Sequence, residues 1–98
     1  MFRQITLIKF KSDVSKKEVE KIGFGFSKIS TVVDGIINFD FGPDKELEAE
    51  TMDYALVIDF DSKKSWREYR SHPEHIAFAE KAMTIIERVE RVQYDVKS

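Results

Sequence analysis

The sequence contains no cysteine, and its 98 residues include only two prolines and four glycines. Without cysteine the chain forms no disulfide framework and performs no thiol chemistry. No segment approaches the roughly 20 consecutive apolar residues that a membrane-spanning helix requires. The N-terminus also lacks the apolar run and the small-residue cleavage site of a secretory signal. These absences predict a cytoplasmic protein without a membrane partner.

Neither sign of charge is in clear excess, because 16 lysines and arginines stand against 18 aspartates and glutamates. Proteins that bind nucleic acids usually present a basic face, so no nucleic-acid partner is expected. No glycine-rich loop lies between a strand and a helix in the form that nucleotide cofactors require. The length predicts a single domain over residues 1–98, which can bury a core but gains much from dimerisation.

Alternating apolar residues predict four strands. The first spans residues 2–11, and both of its faces carry apolar groups, so we expect a strand that is buried on two sides. A sheet covered by helices on one face needs a partner subunit to provide that second burial. The other strands are expected at residues 36–41, at 54–60, and through Val92, Tyr94 and Val96. Within residues 54–60, Asp59 suggests a polar contact inside a barrel or a position at its rim.

Two helical regions separate these strands. Ser15 and Glu18 have the spacing of a capping box, and an apolar stripe then continues to Val33. Gly23 within this helix costs about 1 kcal/mol relative to alanine, which indicates either close packing on the sheet or room for a ligand. The second region begins after Asp61-Ser62 and is expected to run to about Ile86.

The order of these elements predicts an α+β fold of the ferredoxin-like type, β-α-β-β-α-β, with an antiparallel four-stranded sheet. The second helical region is broken at Pro73, because a proline displaces the preceding residue from helical geometry and is well suited to start a new helix. The segment around this break, residues 66–78, contains the only tryptophan and both histidines. Histidine titrates near neutral pH and can act as a general base.

The pattern Tyr69-x-x-His72-Pro73-x-His75, followed by an apolar residue and Phe78, resembles the signature of the stress-responsive A/B barrel domain (Dabb) family. This resemblance extends over nearly the whole chain, and it implies a two-fold homodimer whose sheets close into a dimeric α+β barrel. We expect Phe39 or Phe41 in the dimer interface, together with Val92, Tyr94 or Val96 of the last strand. Further similarity to the family's strands lies at Lys9-Phe10-Lys11, Asp34-Gly35-Ile36 and Phe60-Asp61-Ser62.

The family includes plant polyketide cyclases, in which the tyrosine and the second histidine of this motif act in an aldol ring closure. The resemblance therefore implies that Tyr69 is a hydrogen-bond donor and His75 a general base, with His72 structural at the helix joint. Gln4 stands where those cyclases have a histidine, and Arg70 favours an acidic ligand. The expected ligand pocket comprises Gln4, Thr6, Ile8, Ile22, Gly23, Phe26, Leu56, Ile58, Arg70, His72, Ile76 and Phe78.

Three functions remain open at this point. The first is a small-molecule-binding, stress-associated domain, the second is a cyclase-like or lyase-like enzyme, and the third is a non-catalytic scaffold dimer. The sequence does not decide whether the protein is an enzyme. No cofactor is expected. No metal site is expected either, because zinc usually needs at least three protein ligands. The only obvious cluster is His72, Glu74 and His75, and on a helix Glu74 points away from the other two. A magnesium site of the kind that some family members build from backbone carbonyls would fall between Val32 and Asn38.

Overall fold

The computed structural model describes residues 1–97. Four strands form one sheet in the order β2-β3-β1-β4, and every neighbouring pair is antiparallel. The predicted ferredoxin-like order is confirmed, with the second helix divided in two. Over residues 1–97, no helix has the length and apolar character needed to cross a membrane. The elements are β1 (Phe2–Phe10), α1 (Lys16–Ile29), β2 (Ile36–Pro43), β3 (Tyr54–Phe60), α2 (Lys63–Ser71), α3 (Pro73–Ala82) and β4 (Ile86–Asp95).

The first helix begins at the capping box that the sequence predicts. The backbone N–H of Glu18 donates to Ser15 Oγ at 3.2 Å, and the Ser15 N–H donates to Glu18 Oε1 at 3.3 Å. These two bonds satisfy donors that the first turn of a helix leaves free. The helix ends four residues before Val33, and the residues that it buries against the sheet are Ile22, Phe26 and Ile29.

Phe26 is the centre of an aromatic cluster between α1 and the sheet. Its ring centroid lies 5.0 Å from that of Phe78, 5.4 Å from that of Phe41 and 6.3 Å from that of Phe39. Phe39 and Phe41 therefore pack on the helix-covered face of their own subunit, which does not favour their predicted place in a dimer interface. The sequence pattern placed them on one face correctly but gave no means of telling which face the helices cover.

None of the three helices formed by residues 1–97 covers the opposite face of the sheet. We call it the open sheet face, and define it by Ile5, Leu7, Val57, Val92 and Tyr94. Val92 and Val57 both pair with Ile5, so the three side chains form an apolar row across neighbouring strands. Val92 is 52% exposed in the single subunit. The apolar character predicted for both faces of β1 is thus present, while only one of those faces is covered within the subunit.

Asp59 also lies on the open sheet face, where it is only 1% exposed. Arg3 binds both of its carboxylate oxygens, at 2.7 and 3.0 Å, and Asn38 Nδ2 donates a third hydrogen bond at 3.0 Å. The hydrogen bonds from Arg3 are the main reason that the pKa of Asp59 lies below its ordinary value. A buried carboxylate requires such partners, because its charge is otherwise costly to desolvate.

Residues near the end of the second helical region depart from the sequence prediction. The third helix ends at Ala82, and Ile86 opens β4 opposite Phe10 instead of ending a helix. Ile76 and Met83 are exposed in the single subunit, and Phe78 makes the contact with α1. Gly25 permits this contact, because a Cβ atom at that position would overlap the Phe78 ring.

The start of β2 also differs from the expected alternation. Ile36 pairs with Phe60 and Asn38 pairs with Asp59, which leaves Ile37 as an extra residue in a β-bulge. Ile36 therefore does not share a face with Asn38, as a regular strand would require.

Replacing Gly35 by alanine should lower the free energy of unfolding by about 1–3 kcal/mol, the usual cost of overpacking. Gly35 is buried, and a Cβ atom there would overlap the Ser65 side chain and contact Asp61. Gly42→Ala is the matched control, because nothing lies within 4 Å of its added Cβ atom. Urea unfolding of both variants measures the difference, and equal stability would show that this junction tolerates a side chain.

Candidate ligand site between the helices and the sheet

A cavity of about 90 Å³ lies between the helices and the helix-covered face of the sheet. It is lined by side chains of α1, α2 and α3 and of three strands. Among the residues expected at a pocket, the structure brings together Gln4, Thr6, Ile8, Phe26, Leu56, Tyr69, Arg70, His75 and Phe78.

Five residues expected in the pocket lie elsewhere. Ile22 and Ile58 are buried in the core, and Ile76 is exposed on α3. Gly23 lies against Tyr54 and Phe41, since a Cβ atom there would be 3.3 Å from the Tyr54 hydroxyl. Its surroundings match the close-packing interpretation of this glycine. His72, the fifth, serves as a helix cap.

Sequence reasoning missed six residues of the cavity lining. Three of them, Val89, Arg91 and Ile86, belong to β4, whose first residue was assigned to a helix and whose residues 87–91 were assigned to no element. In the observed register Val89 pairs with Ile8 and Arg91 pairs with Thr6. Paired residues share a sheet face, so a correct start for β4 would have placed both at the pocket. The remaining three are Ala79, Ala82 and Met83.

The joint between α2 and α3 is built around His72. Its backbone N–H donates to the Tyr69 carbonyl at 3.3 Å and closes α2. Its Nδ1 accepts the Glu74 N–H at 3.2 Å and caps α3, which starts with Pro73. This geometry fixes the direction of α3 and so places His75, in its first turn, beside the last turn of α2.

Tyr69 and His75 face each other at the cavity, with ring centroids 4.3 Å apart. Tyr69 is 2% exposed, and burial raises the pKa of its hydroxyl, which keeps it a hydrogen-bond donor at neutral pH. His75 Nδ1 is the single buried side-chain nitrogen or oxygen within residues 1–97 that has no hydrogen-bond partner. Such an atom costs free energy unless a ligand or water satisfies it.

The pKa of His75 lies below its ordinary value. Burial of the ring is the largest cause, and the nearby backbone of Arg70 partly opposes it. The positive charges of Arg70 and Arg91, with a smaller influence from His72, lower the pKa further. At neutral pH the imidazole is therefore uncharged, which is the state that can accept a proton.

Gln4 presents a hydrogen-bond donor at this cavity. Trp66 Nε1 donates to Gln4 Oε1 at 3.0 Å, and Gln93 Nε2 donates to the same oxygen at 2.9 Å. An indole N–H can only donate, so the Gln4 atom that faces Trp66 must be the carbonyl oxygen. Both lone pairs of that oxygen are used, so the NH₂ group of Gln4 is the part that can bind another molecule.

Two arginines complete the polar part of the lining. The guanidinium of Arg70 lies 5.6 Å from the centroid of the Trp66 ring, a cation–π contact that orients it. Arg91 is exposed on the edge strand β4. Across residues 1–97, no group of three or more histidines, cysteines, aspartates or glutamates is arranged to hold a metal ion.

We expect His75 to titrate below the ordinary value of about 6.5. Arg91→Gln should raise its pKa, because one neighbouring positive charge is removed, while Arg88→Gln on the other sheet face should leave it unchanged. The folded state favours neutral His75, so the free energy of unfolding should fall as the pH drops below about 6.5. In His75→Asn this fall should be smaller, because the titrating group is absent. NMR titration of the imidazole signals measures the pKa; a value at or above that of an unfolded peptide would contradict this account.

The fold and the site together define a ferredoxin-like α+β protein with a cavity over one sheet face. A sequence model of the stress-responsive A/B barrel domain matches residues 2–98, and the chain belongs to this family.

Similar proteins agree with this assignment. The chain is 26% identical over 94 residues to the stress-response A/B barrel domain-containing protein HS1 of Arabidopsis thaliana, covering 94% of this chain and 86% of that protein. A dimeric ferredoxin-like protein of unknown function from Thermobifida fusca has 28% identity and a TM-score of 0.91, over 97% of this chain and 90% of that one. The hydroxynitrile lyase of Passiflora edulis has 18% identity and a TM-score of 0.85, over 99% and 94% of the two chains, and shows the shared fold.

Proposed function

We propose that this protein is a cytoplasmic homodimer that binds a small molecule in the cavity between its helices and its sheet. The observation that carries the proposal is the unpartnered, buried Nδ1 of His75 beside Tyr69 at that cavity. A purely structural histidine is normally satisfied by a protein partner, as His72 is at the helix joint. His75 has the partner-free nitrogen that a binding or catalytic group needs.

The cavity volume limits the size of the ligand. Sites for drug-sized molecules usually enclose about 300–1,000 Å³. The volume of about 90 Å³ found here corresponds to only a few water molecules. This small volume argues against the extended substrates of polyketide cyclases. It favours a compound whose part inside the cavity is small and uncharged.

A second candidate is a lyase-like enzyme that acts on such a small compound. Its support is the juxtaposition of a neutral base, His75, with a protonated hydroxyl, Tyr69. His75 would take the proton of a substrate hydroxyl while the adjacent carbon–carbon bond breaks and a carbonyl forms. The electron pair of that bond leaves with the expelled group, which then recovers the proton from His75. Tyr69 would donate a hydrogen bond to the substrate oxygen throughout.

The homodimer is proposed from the open sheet face and from the similar proteins. Apolar rows on an exposed sheet usually mark an interaction surface. The Thermobifida fusca protein is described as dimeric, and it shares this fold at 28% identity. A second copy of this chain would cover Ile5, Val57 and Val92 by placing its own open sheet face against them. The absence of cysteine is compatible with the proposed cytoplasmic location.

Binding of small probes distinguishes these functions from the scaffold alternative. Acetone, propionamide and propionate should each be titrated into the protein while the NMR signals of His75 and Tyr69 are followed. At least one probe should shift both side chains at millimolar concentration. Ala79→Leu, which fills part of the cavity, should abolish the shifts, and Ala77→Leu on the exposed side of α3 should not.

If no probe shifts His75 or Tyr69, the binding function is wrong and the scaffold function stands. If the shifts persist unchanged in Ala79→Leu, the bound probe lies outside this cavity, which contradicts the proposed site.

A further inference from the structure

Two guanidinium groups from different elements line the same cavity, and neither has a counter-ion among residues 1–97. Arg70 lies in the last turn of α2 and Arg91 lies on β4, and both line the cavity. The ion pairs formed within residues 1–97 are Arg3–Asp59, Lys9–Asp53 and Arg88–Glu90. Neither cavity arginine takes part in them.

Two carboxylates close to these arginines along the chain do not serve as their counter-ions. Glu90 is adjacent to Arg91, but it pairs with Leu7 in the sheet register and so lies on the open sheet face, where it contacts Arg88. Glu74 is exposed in the first turn of α3, where its charge favours the helix N-terminus.

These positive charges also act on His75, which lines the same cavity. Arg70 and Arg91 both disfavour protonation of His75, which means that their field reaches the imidazole. Like charges that converge on a partly buried site destabilise the empty state. An anion bound between them would relieve that repulsion and gain charge-assisted hydrogen bonds.

We propose that the cavity takes a small carboxylic acid, whose carboxylate is held by Arg70 and Arg91 and whose short uncharged part reaches Tyr69 and His75. This inference rests on the proposed binding function and names its ligand class. A guanidinium matches the planar geometry of a carboxylate, and it binds both oxygens at once. The limited volume of the cavity restricts the acid to a few carbon atoms.

A phosphate group fits this place less well than a carboxylate. Phosphates are commonly bound by free backbone N–H groups at a helix N-terminus. The start of α3 is the helix N-terminus nearest His75, and there His72 Nδ1 already accepts the Glu74 N–H. The Glu74 carboxylate in the same turn also repels a dianion.

The Gln4 amide gives the bound acid a third polar contact in the cavity. Its carbonyl oxygen is used by Trp66 and Gln93, so its N–H₂ group is available to a carbonyl or hydroxyl oxygen of the ligand. Trp66 thereby links two parts of the site, because it fixes Gln4 through its indole N–H and supports Arg70 through its ring.

The test compares acids with their neutral amides. Acetate, propionate and butyrate, the three corresponding amides, and inorganic phosphate should be titrated at constant ionic strength, with NMR shifts of His75 and Tyr69 as the readout. Propionate should bind at least tenfold more tightly than propionamide. Arg91→Gln and Arg70→Gln should each weaken propionate binding about tenfold without changing propionamide binding. Arg88→Gln, on the same strand as Arg91 but on the open sheet face, should change neither.

Every different result contradicts one specific part of the proposal. Equal affinity for propionate and propionamide, or full affinity in both cavity-arginine variants, overturns the carboxylate inference while the proposed binding function stands. Phosphate binding as tight as propionate binding makes the site a general anion site and also overturns the assignment to carboxylates. Absence of any shift at His75 and Tyr69 with all probes contradicts the proposed function itself.

Discussion

Phe26→Ala should lower the free energy of unfolding by about 3–5 kcal/mol, which is a large part of the roughly 5–15 kcal/mol that stabilises a typical domain. The Phe26 ring is buried, and it contacts four other rings, those of Phe39, Phe41, Tyr54 and Phe78. Its removal leaves a void between α1 and the sheet that these aromatic neighbours cannot fill completely. Urea unfolding monitored by circular dichroism measures the loss.

Phe24→Ala provides the control within the same helix. Phe24 is 74% exposed, so its truncation should change stability by no more than about 0.5 kcal/mol. A comparable loss in the two variants would mean that the aromatic cluster around Phe26 is not the core of the fold. Because Phe26 also lines the cavity, its loss should loosen the site together with the core.

Val92→Asp should convert the proposed dimer to a monomer, with the dissociation constant rising at least about 100-fold, or roughly 2.7 kcal/mol. Val92 lies in the apolar row with Ile5 and Val57 on the open sheet face. A second open sheet face packed on this row would bury the new carboxylate without a partner, and such burial is costly. Sedimentation equilibrium over a range of concentrations measures the change.

Ile76→Asp is the matched control for the surface chosen. Ile76 is 45% exposed, close to the exposure of Val92, but it lies on α3 and away from the open sheet face. This variant should remain dimeric. A wild-type protein that is monomeric at every concentration would contradict the proposed homodimer, and dissociation by Ile76→Asp alone would move the interface to the helices.

The fold could be predicted from the sequence because the features that determine its helix boundaries are local. The capping box at Ser15 and the proline at position 73 each fix a helix boundary through backbone geometry, and both form as expected. The start of β4 could not be predicted, since Ile86 fits the apolar pattern of a helix as well as that of a strand. Only the pairing of Ile86 with Phe10 across the sheet, a contact between distant parts of the chain, resolves that ambiguity.

The candidate site could be predicted only in part, for the same reason. Motif residues such as Tyr69 and His75 lie close together in sequence, and the helix joint determines their contact. Arg91 lies far from them in the chain and reaches the cavity through the β1–β4 register. Gly23 shows a different problem, because a glycine within a helix is compatible with close packing and with a ligand until its neighbours are known.

The most direct test of the central claim is a crystal structure of the protein soaked with propionate. The account predicts ordered density in the cavity, with the carboxylate at Arg70 and Arg91 and the alkyl end within contact distance of Tyr69 and His75. A cavity closed by its own side chains, with His75 Nδ1 bonded to the protein and no propionate beside it, would contradict the claim. The motif around Pro73 would then serve the architecture of the helix joint alone.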